Sequence, residues 1–391
     1  MVEPSYRVLS TAIVGGSSGL NSFGEYVGSV INNLPLPAKN FTTIQSAIDT
    51  AIGGTAAQGV SQARAAGHSV YIPAGDHYIT EPILIRSVDR LGIVLDPGAR
   101  IIPTVSMSCV FDICGVSNFV LSGGAIHIPT GVAITTVVKV YTDTAVALSL
   151  TKRAHVHGMV ITVAGTGSFV EGFRFGIPGQ LLQLDECHLA HCGVSGAFGI
   201  SEYGVIIEGA WGNLLDINVI DNYVYNCNYA YTVYRAQGVN FIGNFADGGA
   251  PASGGGAAAF NITSTSTLII GGRIEAYRRL LYNPVGYSAA GVCLALSVIF
   301  AANEMDAAGI VDWRMSGHLE LSLLVTTPGA LASIIIASPS TCSLGGVVSV
   351  WGDSNRPTTE TLVSGANAVG SIRYIQASGS GEFVSNDLVA L

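Results

Sequence analysis

Charge is what this chain most lacks. Of its 391 residues only 11% are Asp, Glu, Lys or Arg, against about 25% in average soluble domains. Positive charge is the scarcest: Lys39, Lys139 and Lys152 are the only lysines, and the formal net charge is −9. A surface for nucleic acid or an anionic membrane needs clustered Lys and Arg, so neither partner is expected, and phosphate ligands are poor candidates. Long apolar runs are missing too. The stretch Ser288 to Ala302 is uncharged but falls short of the roughly 18 residues that cross a bilayer, so it reads as buried strand and no membrane insertion is expected. The start of the chain lacks the marks of a signal peptide. Glu3 and Pro4 stand where positive charge belongs, and Ser10 and Thr11 interrupt the apolar part. The seven cysteines lack the close C-x-x-C spacing of zinc ligands, since Cys109/Cys114 and Cys187/Cys192 are each five apart. Buried free thiols, in a chain made in a reducing cytoplasm, are the expectation.

What is present in excess is glycine, 49 residues, together with repetition. Short strand-like runs begin near Leu91, Phe119, Ala154, Leu181, Leu215, Asn240 and Leu268, at spacings of 25 to 35 residues. A second run follows each, among them Cys109–Ile113, Glu171–Phe175, Gly204–Glu208 and Ala258–Ile262. A period in this range means stacked supersecondary units. Alternation with Gly and Asn corners makes the unit a β-coil. Glycine-rich corners and columns of small apolar side chains also account for the low charge. Uneven spacing means coils in register with loops of different length, such as 128–137, 193–203 and 247–256, which would project as groove rims.

Ahead of the repeat, residues 41–52 (FTTIQSAIDTAI) place apolar residues at helical spacing. Residues 68–79 (HSVYIPAGDHYI) then read as strand, corner, strand. Pro73 forces Ile72 into an extended conformation and Gly75 supplies the corner. Helix, then V-Y-I-P-x-G, resembles the opening of the pectate-lyase-like right-handed β-helix family, in which a helix caps the first coil. The resemblance implies an all-β fold, a right-handed parallel β-helix with an N-terminal capping helix and a C-terminal β-rich domain. The expected divisions are 1–40, a Gly/Ser/Pro-rich attachment segment; 41–287, the β-helix with its cap at 41–52; and 288–391, where the coil pattern fades and a terminal β-domain closes the open end. This layout resembles bacteriophage tailspikes, in which the terminal domain also joins three chains.

The chemistry expected is that of an outward wall. Aligned second strands stack Asp112, Lys139, Arg174, Glu208 and Asn261 along one polar line, because alternate side chains of a strand face opposite sides. Cleaving a glycosidic bond takes one carboxyl group as acid and another as base or nucleophile. Asp185 and then Glu208 lead the candidates, with Asp216 and Asp221 behind; the last two face opposite sides if their strand is unbroken. Taken singly, each of these acids reads more plainly as a solvated coil position. His155, His157, His188 and His191 form a local cluster with no oxygen cage beside it, so surface or corner roles are expected and no metal or cofactor. The aromatics at 223–241 are either a stacked core or sugar platforms. Trp211 is the best single platform, with Arg174, Tyr234 and Asn261 beside it as substrate contacts.

From the resemblance follows an expected function: a homotrimeric virion tail protein that binds, and in one version hydrolyses, a bacterial surface polysaccharide, with residues 1–40 contacting other tail proteins. Its expected place is the virion tail, after synthesis in the host cytoplasm. The alternatives are a non-catalytic structural or decoration protein of the virion, and a secreted polysaccharide lyase or hydrolase.

Overall fold

The structure is a computed structural model describing residues 36–38, 42–52, 64–65 and, with gaps at several loops, 69–390. Its architecture is a right-handed parallel β-helix, the sense that nearly all parallel crossovers take. Each coil contributes to three faces. The first face holds strands such as Ser117–Ser122, Lys152–His157 and Leu184–Ala190. The second holds shorter ones, such as Ala125–Ile128, Val160–Val163 and Gly193–Ser195. The third is a sheet of eleven strands, among them Met107–Cys114, Ala133–Tyr141, Ser168–Phe175, Tyr203–Glu208, Tyr229–Tyr234 and Gly256–Thr263. Pairing is parallel throughout the third face, with pairs such as Val138↔Phe173, Phe173↔Val205 and Tyr231↔Phe260.

The cap forms as the spacing predicts. Helix α1 (Ile44–Ala51) starts at Thr43, whose side chain accepts from Ser46 N, and it buries Ile44, Ala47, Ile48 and Ala51. It also satisfies the open edge of the coil stack. Gln45 accepts from Leu84 N at 2.8 Å and donates to Leu84 O at 3.0 Å, doing for that strand what a further coil would do. Val70–Ile72 and Gly75–Ile79 flank the corner at Pro73.

Register makes the core a set of columns. Phe111, Val138, Phe173, Val205, Tyr231, Phe260 and Leu281 succeed one another inside the third face, all buried. Tyr231 and Phe260 stack at 5.2 Å between ring centroids. Each such ring contributes about 1.5–3 kcal/mol by leaving water. Six cysteines are buried free thiols, as expected, with burial pushing Cys187, Cys192 and Cys293 up to about 12.

The corner between first and second faces repeats a left-handed residue: Gly158, His191, Asp221, Gly243 and Gly271 all have φ between +50° and +66°. Each donates its N–H to a carbonyl of the following coil, for example Asp221 N to Ile242 O at 2.9 Å. Just past it, buried Asn222 and Asn244 form a ladder. Asn222 Nδ2 donates to Leu189 O and to Asn244 Oδ1, each at 3.0 Å, and Asn244 Nδ2 donates to Val219 O at 2.7 Å.

Past the boundary expected at 288 the parallel ladder continues. Gly291–Ala301 pairs in parallel with both Ser266–Ile270 and Arg273–Glu275, and the parallel stack continues through Gly317–Thr327, Cys342–Gly352 and Val369–Ala377. The pattern changes because the first and second faces merge into single strands of up to eleven residues. The corner survives inside these strands as a positive-φ residue, Ser297 at +57° and Gly346 at +109°, but no break marks it, although the coil continues. Among the described residues only Phe383–Ala390 runs antiparallel, pairing with Val369–Ala377.

Candidate functional site

The third face carries an outward column in register: Leu84, Asp112, Lys139, Arg174, Ile206, Thr232, Asn261 and Tyr282. Four members of the expected line are therefore present in order, and one is displaced. Ile206, not Glu208, stands beside Arg174; Glu208 lies two residues further on, paired with Tyr234. The shift arises because Gly204 to Ile207 are all buried, so this strand's outward position comes later than apolar alternation suggests.

Glu208 nevertheless reaches the same group. Arg174, with its side chain 8% exposed, donates from Nη2 to Glu208 Oε2 and from Nη1 to Glu171 Oε1. Its Nε donates to Gly176 O at 3.1 Å, and Thr136 Oγ1 donates to Glu171 Oε2 at 2.5 Å. Gly176 makes the close approach possible: its φ is +81°, and a Cβ there would lie 2.0 Å from Glu208 O. Charge-assisted bonds of this kind are short and geometrically exacting, and the fork of a guanidinium suits two carboxylates. A hydrolytic pair leaves space between its carboxyl groups for the scissile oxygen and water. Here the guanidinium fills that space.

Tyrosines flank this network. Tyr203 and Tyr229, paired in register, stack with centroids 5.6 Å apart, and Tyr234 meets Tyr203 edge-on at 6.4 Å. All three are part-exposed, and burial raises the phenol pKa of Tyr203 and of Tyr229. Tyr234 Oη accepts from Asn261 Nδ2 at 2.8 Å. Further along, the Arg279 guanidinium lies 4.7 Å from the Tyr282 ring centre. At the other end, Arg86 donates to Asp112 at 2.5 Å and to Tyr141 Oη at 2.7 Å, while Lys139 Nζ sits 4.1 Å from the Tyr141 ring centre. The result is a band of rings and paired ions that follows the helix axis.

The other candidate acids are elsewhere. Asp185 opens a first-face strand, half-exposed, with Lys152 Nζ 3.5 Å away. Asp216 is part-exposed on the next first-face strand. Asp221 is the left-handed corner residue described above, 54% exposed and 3.9 Å from His191 Nδ1. Asp185 and Glu208 thus belong to different faces and different ion pairs. Trp211 lies outside the described residues. The histidines stand in two pairs on or beside the first face, His155–His188 at 4.5 Å and His157–His191 at 5.2 Å. Among the described residues no group of three or more His, Cys, Asp or Glu is placed to hold a metal ion, and no helix is long and apolar enough to cross a membrane.

Aromatics from 223 to 241 divide by face. Tyr231 and Phe241 are core, packed with Phe260; Tyr223 and Tyr225 stand outward on the second face; Tyr229 and Tyr234 belong to the band. Glu171, Thr136 and Tyr203 were not among the expected site residues. Register from Lys139↔Arg174 would have brought Glu171 into view, and the Tyr203↔Tyr229 pair likewise follows once coils are aligned by residue.

No family model matches the chain, and no curated protein matches it. Solved structures do share its path. A Geobacillus virus E2 protein, ORF18, is 11% identical over 96% of this chain and 68% of its own, with a TM-score of 0.45. The A-module of a mannuronan C-5 epimerase from Azotobacter vinelandii is 14% identical over 84% and 99%, TM-score 0.44. An endo-xylogalacturonan hydrolase from Aspergillus tubingensis is 8% identical over 90% and 94%, TM-score 0.40. What they have in common with this chain is the parallel β-helix.

Proposed function

We propose that this chain is a polysaccharide-binding tail protein of a bacteriophage virion, holding an extended bacterial surface polysaccharide along its third face. The observation that carries the reading is the band itself: part-exposed Tyr203, Tyr229 and Tyr234 beside the Arg174 network. The part-exposed edges and phenol hydroxyls of these rings, fixed along a rigid sheet, suit the CH groups and hydroxyls of successive sugar units. The role is binding rather than cleavage, because Arg174 occupies the place between Glu171 and Glu208.

Three copies are proposed to assemble through the first and second faces, where Val160, Tyr223, Ile270, Val292 and Ile299 are exposed on a chain otherwise poor in charge. Residues 1–40 are proposed to join this assembly to other tail proteins.

The test is equilibrium binding of host surface polysaccharide to the full chain and to Tyr203→Ala and Tyr229→Ala. Each variant is expected to lose about tenfold in affinity, equivalent to roughly 1.4 kcal/mol, and no new reducing ends should appear with the unaltered chain. Unchanged affinity in both variants would remove the third face from the proposal. Release of oligosaccharides that stops in Asp185→Ala or Glu208→Ala would replace binding with hydrolysis.

A further inference from the structure

The three faces begin differently at the N-terminal end of the coil stack. On the first, Leu36–Pro37 pairs with Val70–Ile72. On the third, α1 covers Ile83–Arg86 through the two bonds between Gln45 and Leu84. The second face begins at Gly75–Ile79, which pairs with Ala99–Pro103 on one side and, among the described residues, with no strand on the other. Register identifies the groups this leaves over. Gly75 N donates to Gly98 O at 3.0 Å, and Thr104 N donates to Ile79 O at 2.9 Å. Alternation along a parallel strand then turns Gly75, His77 and Ile79 towards the next coil, and turns the N–H and C=O of Asp76 and Tyr78 away from it.

Such a row of unpaired groups is a template for another strand. Beside it lies a groove of about 610 Å³, bounded across from the strand by Ala38, Thr42 and Ile44. It stands where a preceding coil would place its second-face strand. The chain ahead of Leu36 holds a run that suits it. Residues 6–14 (YRVLSTAIV) are rich in β-branched and aromatic types and lie between Pro4 and Gly15-Gly16, the punctuation of a strand. Residues 15–35 span up to about 70 Å when extended. Ala38, two residues past Leu36, already lines the groove, so the run has ample chain to fold back to it. Charge agrees as well. No Lys or Arg lines the groove; Asp76 is matched by Arg100 at 2.6 Å, whereas Glu81 has no ion pair among the described residues. Arg7 is the one basic residue in 1–35.

We propose that residues 6–14 dock in this groove on their own chain, adding to Gly75–Ile79 as the missing second-face strand, with Arg7 set against Glu81. Main-chain bonds to Asp76 and Tyr78 hold the run, as in other cases of strand addition to an open edge. The contact ties the N-terminal segment to the cap. Binding at the third face plays no part in it.

Hydrogen exchange read by mass spectrometry tests this on the full chain, on a variant lacking residues 1–16, and on the double variant Val8→Pro/Leu9→Pro. Adjacent prolines remove a ladder donor whichever way the run faces. Peptides covering Gly75–Ile79 should retain two more slow amides, those of Asp76 and Tyr78, in the full chain than in either variant. Ser168–Phe175 should exchange alike in all three, which shows that the variants fold. A synthetic peptide of residues 6–14 should restore both amides to the truncated variant. Equal exchange at Gly75–Ile79 in all three proteins would overturn the proposal, whether that edge is bare or covered by another segment. Photoreactive benzoylphenylalanine at Leu9 then identifies the chain. A cross-link to residues 76–83 within one chain is expected, and a cross-linked dimer on a denaturing gel would overturn the proposal in favour of a second copy.

Discussion

Arg174 holds two carboxylates on a nearly dry wall, so its removal leaves more behind than it takes away. Arg174→Ala strands Glu171, itself 11% exposed in its side chain, without its counter-charge. The expected loss is about 3–5 kcal/mol, the usual result of breaking a buried pair from one side. Arg174→Lys keeps the charge and loses the fork, and should recover only part. Denaturant unfolding measures both, and a loss below about 1 kcal/mol for the alanine variant would contradict the geometry. Arg174 was legible in the sequence because Phe173 and Phe175 bracket it with inward positions. Glu171 was not, because an unbroken strand puts residues three apart on opposite faces. Between them Gly172 leaves space that a Cβ would fill, 2.5 Å from Gly204 O, and the Glu171 carboxylate reaches the Arg174 guanidinium. At Asp221 the acidic side chain draws notice in the sequence, while the coil uses its backbone, at φ +50°.

At the scale of the element, the first-face column explains the histidines. Val120, His155, His188, Asn218 and Asn240 succeed one another in register. Burial, and next the neighbouring His188, lowers the His155 pKa below the usual imidazole value of 6.5, while Glu186, itself paired with Arg153, acts in the opposite sense. Folding therefore favours the neutral ring. Its contribution is complete above the unfolded value and is lost as pH falls below it towards the folded value. Thermal unfolding followed between about pH 7 and pH 5 should show a falling midpoint, with a shallower fall in His155→Asn. An equal fall in both proteins would show that His155 is not its source. Elements with their own short corners were readable from sequence, since Gly, Asn and β-branched residues mark each turn. Beyond 288 the faces merge into longer strands, the corners at Ser297 and Gly346 fall inside them, and a continuing coil reads as a different domain.

At the scale of the molecule, parallel register converts a repeat of variable length into a straight wall, and function is argued from what that wall presents. The fold was legible because every coil repeats one constraint, an apolar column between two corners. The site was less so, since its members come from five coils and meet only in register. One measurement tests the central claim most directly: hydrogen exchange of the full chain with and without host surface polysaccharide. Protection confined to the third-face strands, above all Ser168–Phe175, Tyr203–Glu208 and Tyr229–Tyr234, is the predicted result. Protection centred on first-face strands around Asp185 and His188, with the third face unchanged, would contradict it.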